Sequence, residues 1–168
     1  TANVGKAEVK GVDLFLKYQA SEQIELGFSG NYTDTEFTEI NNITGASHAV
    51  GDPLDQAPLY GYSLWLNHSF SWFDQAVGDF RIDYSRQGKA HFRNRSFDVP
   101  AVGFSYHSTS DEVEMLNTRL SWEQEAWLME LYALNLLDER GFLGEADVEL
   151  NAIRARPRTI GIKIGHQF

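Results

Sequence analysis

The sequence predicts an all-β chain, a run of antiparallel strands from the wall of a transmembrane β-barrel. Three observations carry this reading. Seven stretches alternate apolar and polar side chains with the period of two that belongs to strands. The connections between them are alternately short and long. The charges within the stretches gather on the face opposite the aliphatic residues.

Composition sets the frame. The 168 residues are enough for one domain. The absence of cysteine leaves neither a disulfide framework nor a thiolate metal site. A net charge of -10 argues against nucleic acid as a partner. Mean hydropathy is -0.37, and the longest nearly apolar run, Ala126 to Leu137, is broken by Glu130 and Asn135. It is too short for a membrane-spanning helix. The start has no basic segment followed by an apolar one, so no signal peptide is expected; the chain reads as a mature protein or as a piece of something longer.

Taken in order, the first strand runs from Val9 to Tyr18, with Val12, Leu14, Leu16 and Tyr18 on one face and Asp13 and Lys17 on the other. Phe15 breaks its pattern. After the polar turn Ala20-Ser21-Glu22, the second strand sets Ile24, Leu26, Phe28, Gly30 and Tyr32 against Glu25, Gly27, Ser29, Asn31 and Thr33. Alternation dissolves after Phe37, and Thr38 to Ala57 reads as a long loop rich in Asn, Gly, Asp and Thr. The third strand, Pro58 to Phe70, alternates Tyr60, Tyr62, Leu64, Leu66 and Phe70 with Gly61, Ser63, Asn67 and Ser69, interrupted by Trp65 and His68.

A short connection, Ser71 to Gly78, leads to a fourth strand, where Phe80, Ile82 and Tyr84 oppose Asp79, Arg81, Asp83 and Ser85. Gln87 to Glu112 is a second long polar segment. The fifth strand, Val113 to Trp122, sets Leu116, Leu120 and Trp122 against Asn117, Arg119 and Ser121. A tight turn, Glu123 to Ala126, precedes the sixth strand, Trp127 to Asn135. There parity flips, so that Trp127, Met129, Leu131 and Ala133 share the apolar face. Propensity alone would equally allow an amphipathic helix here; its place directly after a tight turn favours a strand. Leu136 to Ala155 is a third long loop. In the last strand, Pro157 to Phe168, Ile160, Ile162, Ile164, His166 and Phe168 face away from Thr159, Gly161, Lys163, Gly165 and Gln167. Pro157 stands at its start, where a missing N–H is tolerated.

All three long connections fall at one end of the strands. Outer-membrane barrels have this asymmetry, with short periplasmic turns and longer extracellular loops; a soluble β-sandwich has no reason for it. Tyr18, Phe70, Trp72, Trp122, Trp127 and Phe168 cluster at the short-turn end, and Tyr32, Tyr60 and Tyr84 nearer the long-loop end, as two interfacial girdles would. Asp13, Lys17, Glu25, Arg81, Asp83, Arg119 and Lys163 all lie on the polar face. A charged Arg or Lys on the lipid face costs about 2–4 kcal/mol near the midplane. The apolar face therefore meets lipid, and the charged face meets a lumen that is hydrated or filled by another polar element.

Single-chain bacterial barrels have an even number of strands, and seven left alone would expose two unpaired edges to lipid. The simplest account is the C-terminal part of a larger barrel. A complete small barrel with a structural or adhesin role is the alternative, needing one more strand, for which Gln87–Glu112 has room.

Four segments carry a family resemblance. Asn3-Val4-Gly5-Lys6-Ala7 through Gly11-Val12-Asp13 resembles the N-x-G-x-A-x-x-x-G-x-[ED] strand of TonB-dependent outer-membrane receptors. Gly51-Asp52-Pro53-Leu54 through Ala57-Pro58-Leu59-Tyr60 is similar to their G-x-x-L-x-x-A-P segment, and Leu116-Asn117-Thr118-Arg119 to their L-N-x-R. Tyr132 through Asn135-Leu136-Leu137-Asp138-Glu139 resembles their Y-x-x-N-L-x-D-E. The resemblance implies a 22-stranded barrel with a plugged lumen, of which this chain is about the last seven strands. The plug and the segment that contacts the TonB complex would precede it. The implied role is uptake of a scarce nutrient across the bacterial outer membrane: a ferric siderophore, cobalamin, haem or a glycan. The implied neighbours are outer-membrane lipid and lipopolysaccharide. The last strand, with Ile160, Ile162, Ile164 and Phe168, is similar to the family's recognition signal for the barrel-assembly machinery.

Other candidate sites are few, and no cofactor, metal or enzymatic activity is expected. Arg93 and Arg95 form a pair suited to gripping an anionic chelate, although a solvated charged loop explains them as well. His48, His91 and His107 lack metal-ligand spacing. His68 and Ser69 are adjacent on a strand, point to opposite faces and cannot form a dyad. The acidic loop residues Asp34, Glu36, Glu39, Asp111, Glu112, Glu114, Glu145, Asp147 and Glu149 suit a solvated extracellular surface, and calcium bridging to lipopolysaccharide is one further use for them.

Overall fold

The computed structural model describes residues 5–41, 49–72, 76–92, 109–145 and 152–167. Seven strands form one antiparallel sheet: β1 (Gly5–Gln19), β2 (Ile24–Ile40), β3 (Tyr60–Trp72), β4 (Ala76–Gln87), β5 (Val113–Gln124), β6 (Trp127–Leu134) and β9 (Thr159–His166). Two short strands, β7 (Phe142–Glu145) and β8 (Ala152–Arg154), pair as a separate hairpin within the third long connection. Each strand of the large sheet lies beside its sequence neighbour, the hairpin aside, so the order is an uninterrupted meander. The segment after the Glu125–Ala126 turn is a strand and not a helix.

Register shows why the alternation matters. Leu16 pairs with Phe28, Phe28 with Leu64, Leu64 with Tyr84 and Tyr84 with Leu116. Beyond the parity flip, Leu120 pairs with Leu131 and Leu131 with Ile162. One apolar face thus runs unbroken across all seven strands. It is not packed within the chain: Ile160 is 73% exposed, Val12 68% and Tyr18 66%. Among the described residues no large side chain is fully buried, and the buried apolar residues are mostly small, such as Ala76 and Ala133. A soluble sandwich would cover this face with a second sheet; the only other sheet among the described residues is the β7–β8 hairpin.

Two strands extend beyond the expected bounds. β1 has 15 residues and β2 has 17, where the sequence pattern predicts Val9–Tyr18 and a second strand fading after Phe37. Their outer halves stay paired, but the formerly apolar face turns charged: Lys10 opposes Asp34 and Glu8 opposes Glu36. A bilayer-spanning strand needs only ~9–11 residues, so these ends project beyond the apolar band. Segment 51–59 runs back along the same projection: Gly51 N–H donates to Phe37 O at 2.8 Å, Phe37 N–H to Asp52 O at 2.9 Å, and Thr33 N–H to Leu59 O at 2.8 Å.

Candidate functional site: the inner wall and its outer loops

The polar face is built in cross-strand rows. Glu25 opposes Asn67, Asn67 opposes Arg81, and Arg81 opposes Arg119. Lys17 Nζ lies 2.7 Å from Glu25, and Asn67 Nδ2 donates to Glu25 Oε1 at 3.3 Å. Arg81 Nε donates to both oxygens of Asp83 at 2.8 and 2.9 Å, and its Nη1 to Asn67 Oδ1 at 3.1 Å. Ser69 Oγ donates to Asp79 at 2.6 Å. Arginines directly opposite one another repel; the Asp83 fork offsets the charge on Arg81. The seven charges that the sequence places on the polar face all keep its parity.

Of the three residues that interrupt the alternation, Phe15 and Trp65 project from this same face and His68 from the other. The Phe15 and Trp65 rings stack at 5.7 Å, and the Arg81 guanidinium sits 5.9 Å from the Trp65 ring centre. Gly27, opposite Trp65, makes room: a Cβ there would collide with the indole ring. Gly161 stands in the same relation to the ring of Tyr132.

At the long-loop end the connections are tied together. Gln56 N–H donates to His91 O at 2.7 Å, and Ser110 N–H to Ala90 O at 2.8 Å. Asp111 and Phe142 exchange two bonds, Asp111 N–H to Phe142 O at 2.8 Å and Phe142 N–H to Asp111 Oδ2 at 2.7 Å. Phe142 also meets Phe92 edge-on at 5.9 Å. The third loop is anchored below by Asn135, which is 3% exposed and sits at φ 50°. Its Nδ2 donates to the carbonyls of Glu139 (2.9 Å) and Arg156 (2.6 Å), its Oδ1 accepts from Glu139 N–H at 2.9 Å, and its N–H donates to Asn117 Oδ1 at 2.9 Å. Asp138 clasps Arg140 Nε at 3.1 Å and Arg158 N–H at 3.0 Å. The Arg140 hydrogen bond, then that of Arg158, holds its carboxyl below the usual carboxylate range. The N-L-x-D-E segment is therefore a knot joining loop, β5 and the start of β9.

Of the sequence-predicted site residues, Ile160, Ile162 and Ile164 line the outer face beside Ala133, Leu131 and Met129. Phe168, Arg93, Arg95, His48 and His107 lie outside the described residues. His91 forms an isolated bridge with Thr109. His68 stacks on Phe70 at 5.7 Å on the outer face, while Ser69 points inward. No group of metal-holding residues occurs among the described residues. Of the girdle residues, Tyr18 and Trp127 are exposed at the short-turn end, and Tyr32 is exposed toward the other. What the sequence pattern missed is a charge on the outer face. Arg86 continues the row of Ile82 and Tyr84 there, with Nε 2.8 Å from Glu112 and Nη1 3.1 Å from Glu114.

A meandering sheet with one continuous apolar face and one charged face is the wall of a membrane β-barrel. The family model for TonB dependent receptor-like β-barrels matches residues 1–136, and the chain belongs to that family. Two solved structures share the fold. The ferric yersiniabactin uptake receptor FyuA of Yersinia pestis superposes over 99% of this chain and 24% of its own, with a TM-score of 0.76 and 21% identity. BauA, the ferric preacinetobactin receptor of Acinetobacter baumannii, covers 99% of this chain and 23% of its own, with a TM-score of 0.72 and 13% identity. The chain thus spans about a quarter of these receptors' length. A comparison with curated protein sequences finds no match.

Proposed function

We propose that this chain is the closing part of the barrel of an outer-membrane receptor that takes up a scarce nutrient through the TonB complex. It supplies about the last seven of 22 strands, with a plug and the TonB-contacting segment earlier in the same polypeptide. The observation that carries the reading is the unbroken apolar face of a family member whose edge strands, β1 and β9, are each paired on one side only among the described residues. In lipid, such edges require further strands. A ferric siderophore is the favoured cargo, because both structural relatives are receptors for ferric ligands; cobalamin, haem and glycans are the other classes. The chain is non-enzymatic in this account: it contributes wall and loops, and the energy comes through the plug.

Deleting the gene of the full-length parent should abolish accumulation of one radiolabelled ferric siderophore under iron limitation, with restoration by the intact gene. Unchanged uptake of every ferric siderophore tested would contradict the iron assignment. β9 is proposed as the signal read by the barrel-assembly machinery. Removing Phe168 from the full-length parent should lower its outer-membrane yield, and a normal yield would refute that role.

A further inference from the structure

The inner face holds a hollow of about 660 Å³ toward its long-loop end, a size that suits a small-molecule ligand. The register explains it. Phe15, Ser29, Ser63, Ser85 and Met115 pair in turn and form one row across five strands. Three serines stand in the middle of that row and large side chains at its two ends. The middle is therefore sunken over about 10 Å, two strand spacings. The next row toward the loops repeats the profile: Asp13, Asn31, Gly61, Gln87 and Val113, with glycine at its centre. The next row toward the short turns holds Trp65, whose ring lies against Phe15 and raises the lower edge. Pro58 and Leu143, from the first and third long connections, complete the rim.

We infer that this hollow is a subsite for a ferric chelate without net charge, its alkyl arms against Phe15 and Met115 and its carbonyl and amide groups over the serines. The inference rests on the proposed role in ferric-chelate uptake and narrows the cargo. The hollow is apolar at its ends and hydroxylic along its floor. The Ser29 and Ser63 hydroxyls lie 2.7 Å apart, and a hydroxyl in such a pair keeps capacity to accept from or donate to a ligand. Charge around the hollow is one-sided. Asp13 faces in, whereas the bordering Arg86 carries its guanidinium on the outer face, 2.8 Å from Glu112 and 3.1 Å from Glu114. Lys17, one row deeper, is paired to Glu25, and Arg81, two rows deeper, to Asp83. A trianionic chelate in the hollow would meet the Asp13 carboxylate while these neighbouring cations are already engaged, and like charges at close range repel. A neutral chelate meets no such penalty.

The test is equilibrium binding of two iron-labelled probes to the purified full-length parent: a ferric trihydroxamate without net charge and a ferric tris-catecholate, a trianion. The trihydroxamate is expected to bind about tenfold more tightly or better. Ser63→Arg fills the hollow and adds a cation. It should weaken trihydroxamate binding about tenfold and narrow or reverse the preference. If that variant is not recovered from the outer membrane, Gln87→Arg, at an exposed position on the rim, takes its place with the same expectation. Equal or tighter binding of the tris-catecholate by the parent, or unchanged trihydroxamate binding by the recovered variant, would overturn the subsite. Binding of neither probe would overturn the ferric-cargo reading beneath it, and the subsite with it.

Discussion

A β-carbon at Gly27 would collide with the Trp65 indole, and Trp65 in turn carries Phe15 on one side and Arg81 nearby. Gly27→Val should therefore cost about 1–3 kcal/mol as the ring is displaced, seen as a lower urea midpoint for unfolding of the full-length parent. Asn135 is the other position where one side chain holds much. Alanine there strands the carbonyls of Glu139 and Arg156 and the Glu139 N–H together. A loss of about 1–3 kcal/mol is expected, with faster proteolysis confined to the loop after β6. Asp138 adds a pH dependence to the same knot. Its carboxyl titrates below its ordinary value, mainly through the Arg140 hydrogen bond. Its contribution is present above the ordinary value and is lost only as pH falls through the lowered one. Amide exchange in the loop should stay protected on acidification to the ordinary carboxylate range and rise below it.

Among the elements, β9 separates the two faces most cleanly, since Ile162 pairs with Leu131 on one face and Lys163 with Glu130 on the other. Ile162→Arg puts a charge into the apolar band and should cost about 2–4 kcal/mol, whereas Lys163→Arg on the polar face should be close to neutral. Refolding yields into lipid vesicles compare the two. This is also where the sequence was most readable. Strict alternation in β9, β2 and β5 revealed strand, face and parity, and the flip at β6 was visible because a two-residue turn shifts the count. β7 and β8 went unnoticed, since strands of 4 and 3 residues are too short to show a period. The outer halves of β1 and β2 were hidden because Glu8, Lys10, Asp34 and Glu36 erase the hydrophobic signal while the backbone pairing continues. Phe15 and Trp65 looked like breaks in the pattern. Only the register shows that Trp65 fills the space over Gly27, that Phe15 lies against its ring, and that both are parts of the inner wall. The loop knot was legible as a family motif, but its hydrogen bonds depend on Asn117 and Arg156, which lie far away in sequence.

For the whole molecule, the seven-stranded sheet has two edges among the described residues, and a barrel wall has lipid on its outside and a polar interior within. This chain holds no cysteine, so a single cysteine for spin labelling can be placed at each of positions 160 to 165 in the full-length parent, with any cysteine outside this segment replaced, in native outer membranes. The account predicts a two-residue oscillation: labels at 160, 162 and 164 are relaxed strongly by oxygen and weakly by a water-soluble nickel chelate, and those at 161, 163 and 165 lose the oxygen effect. No oscillation, or nickel access at 160, 162 and 164 as high as in bulk water, would contradict the claim that this face lies against the bilayer.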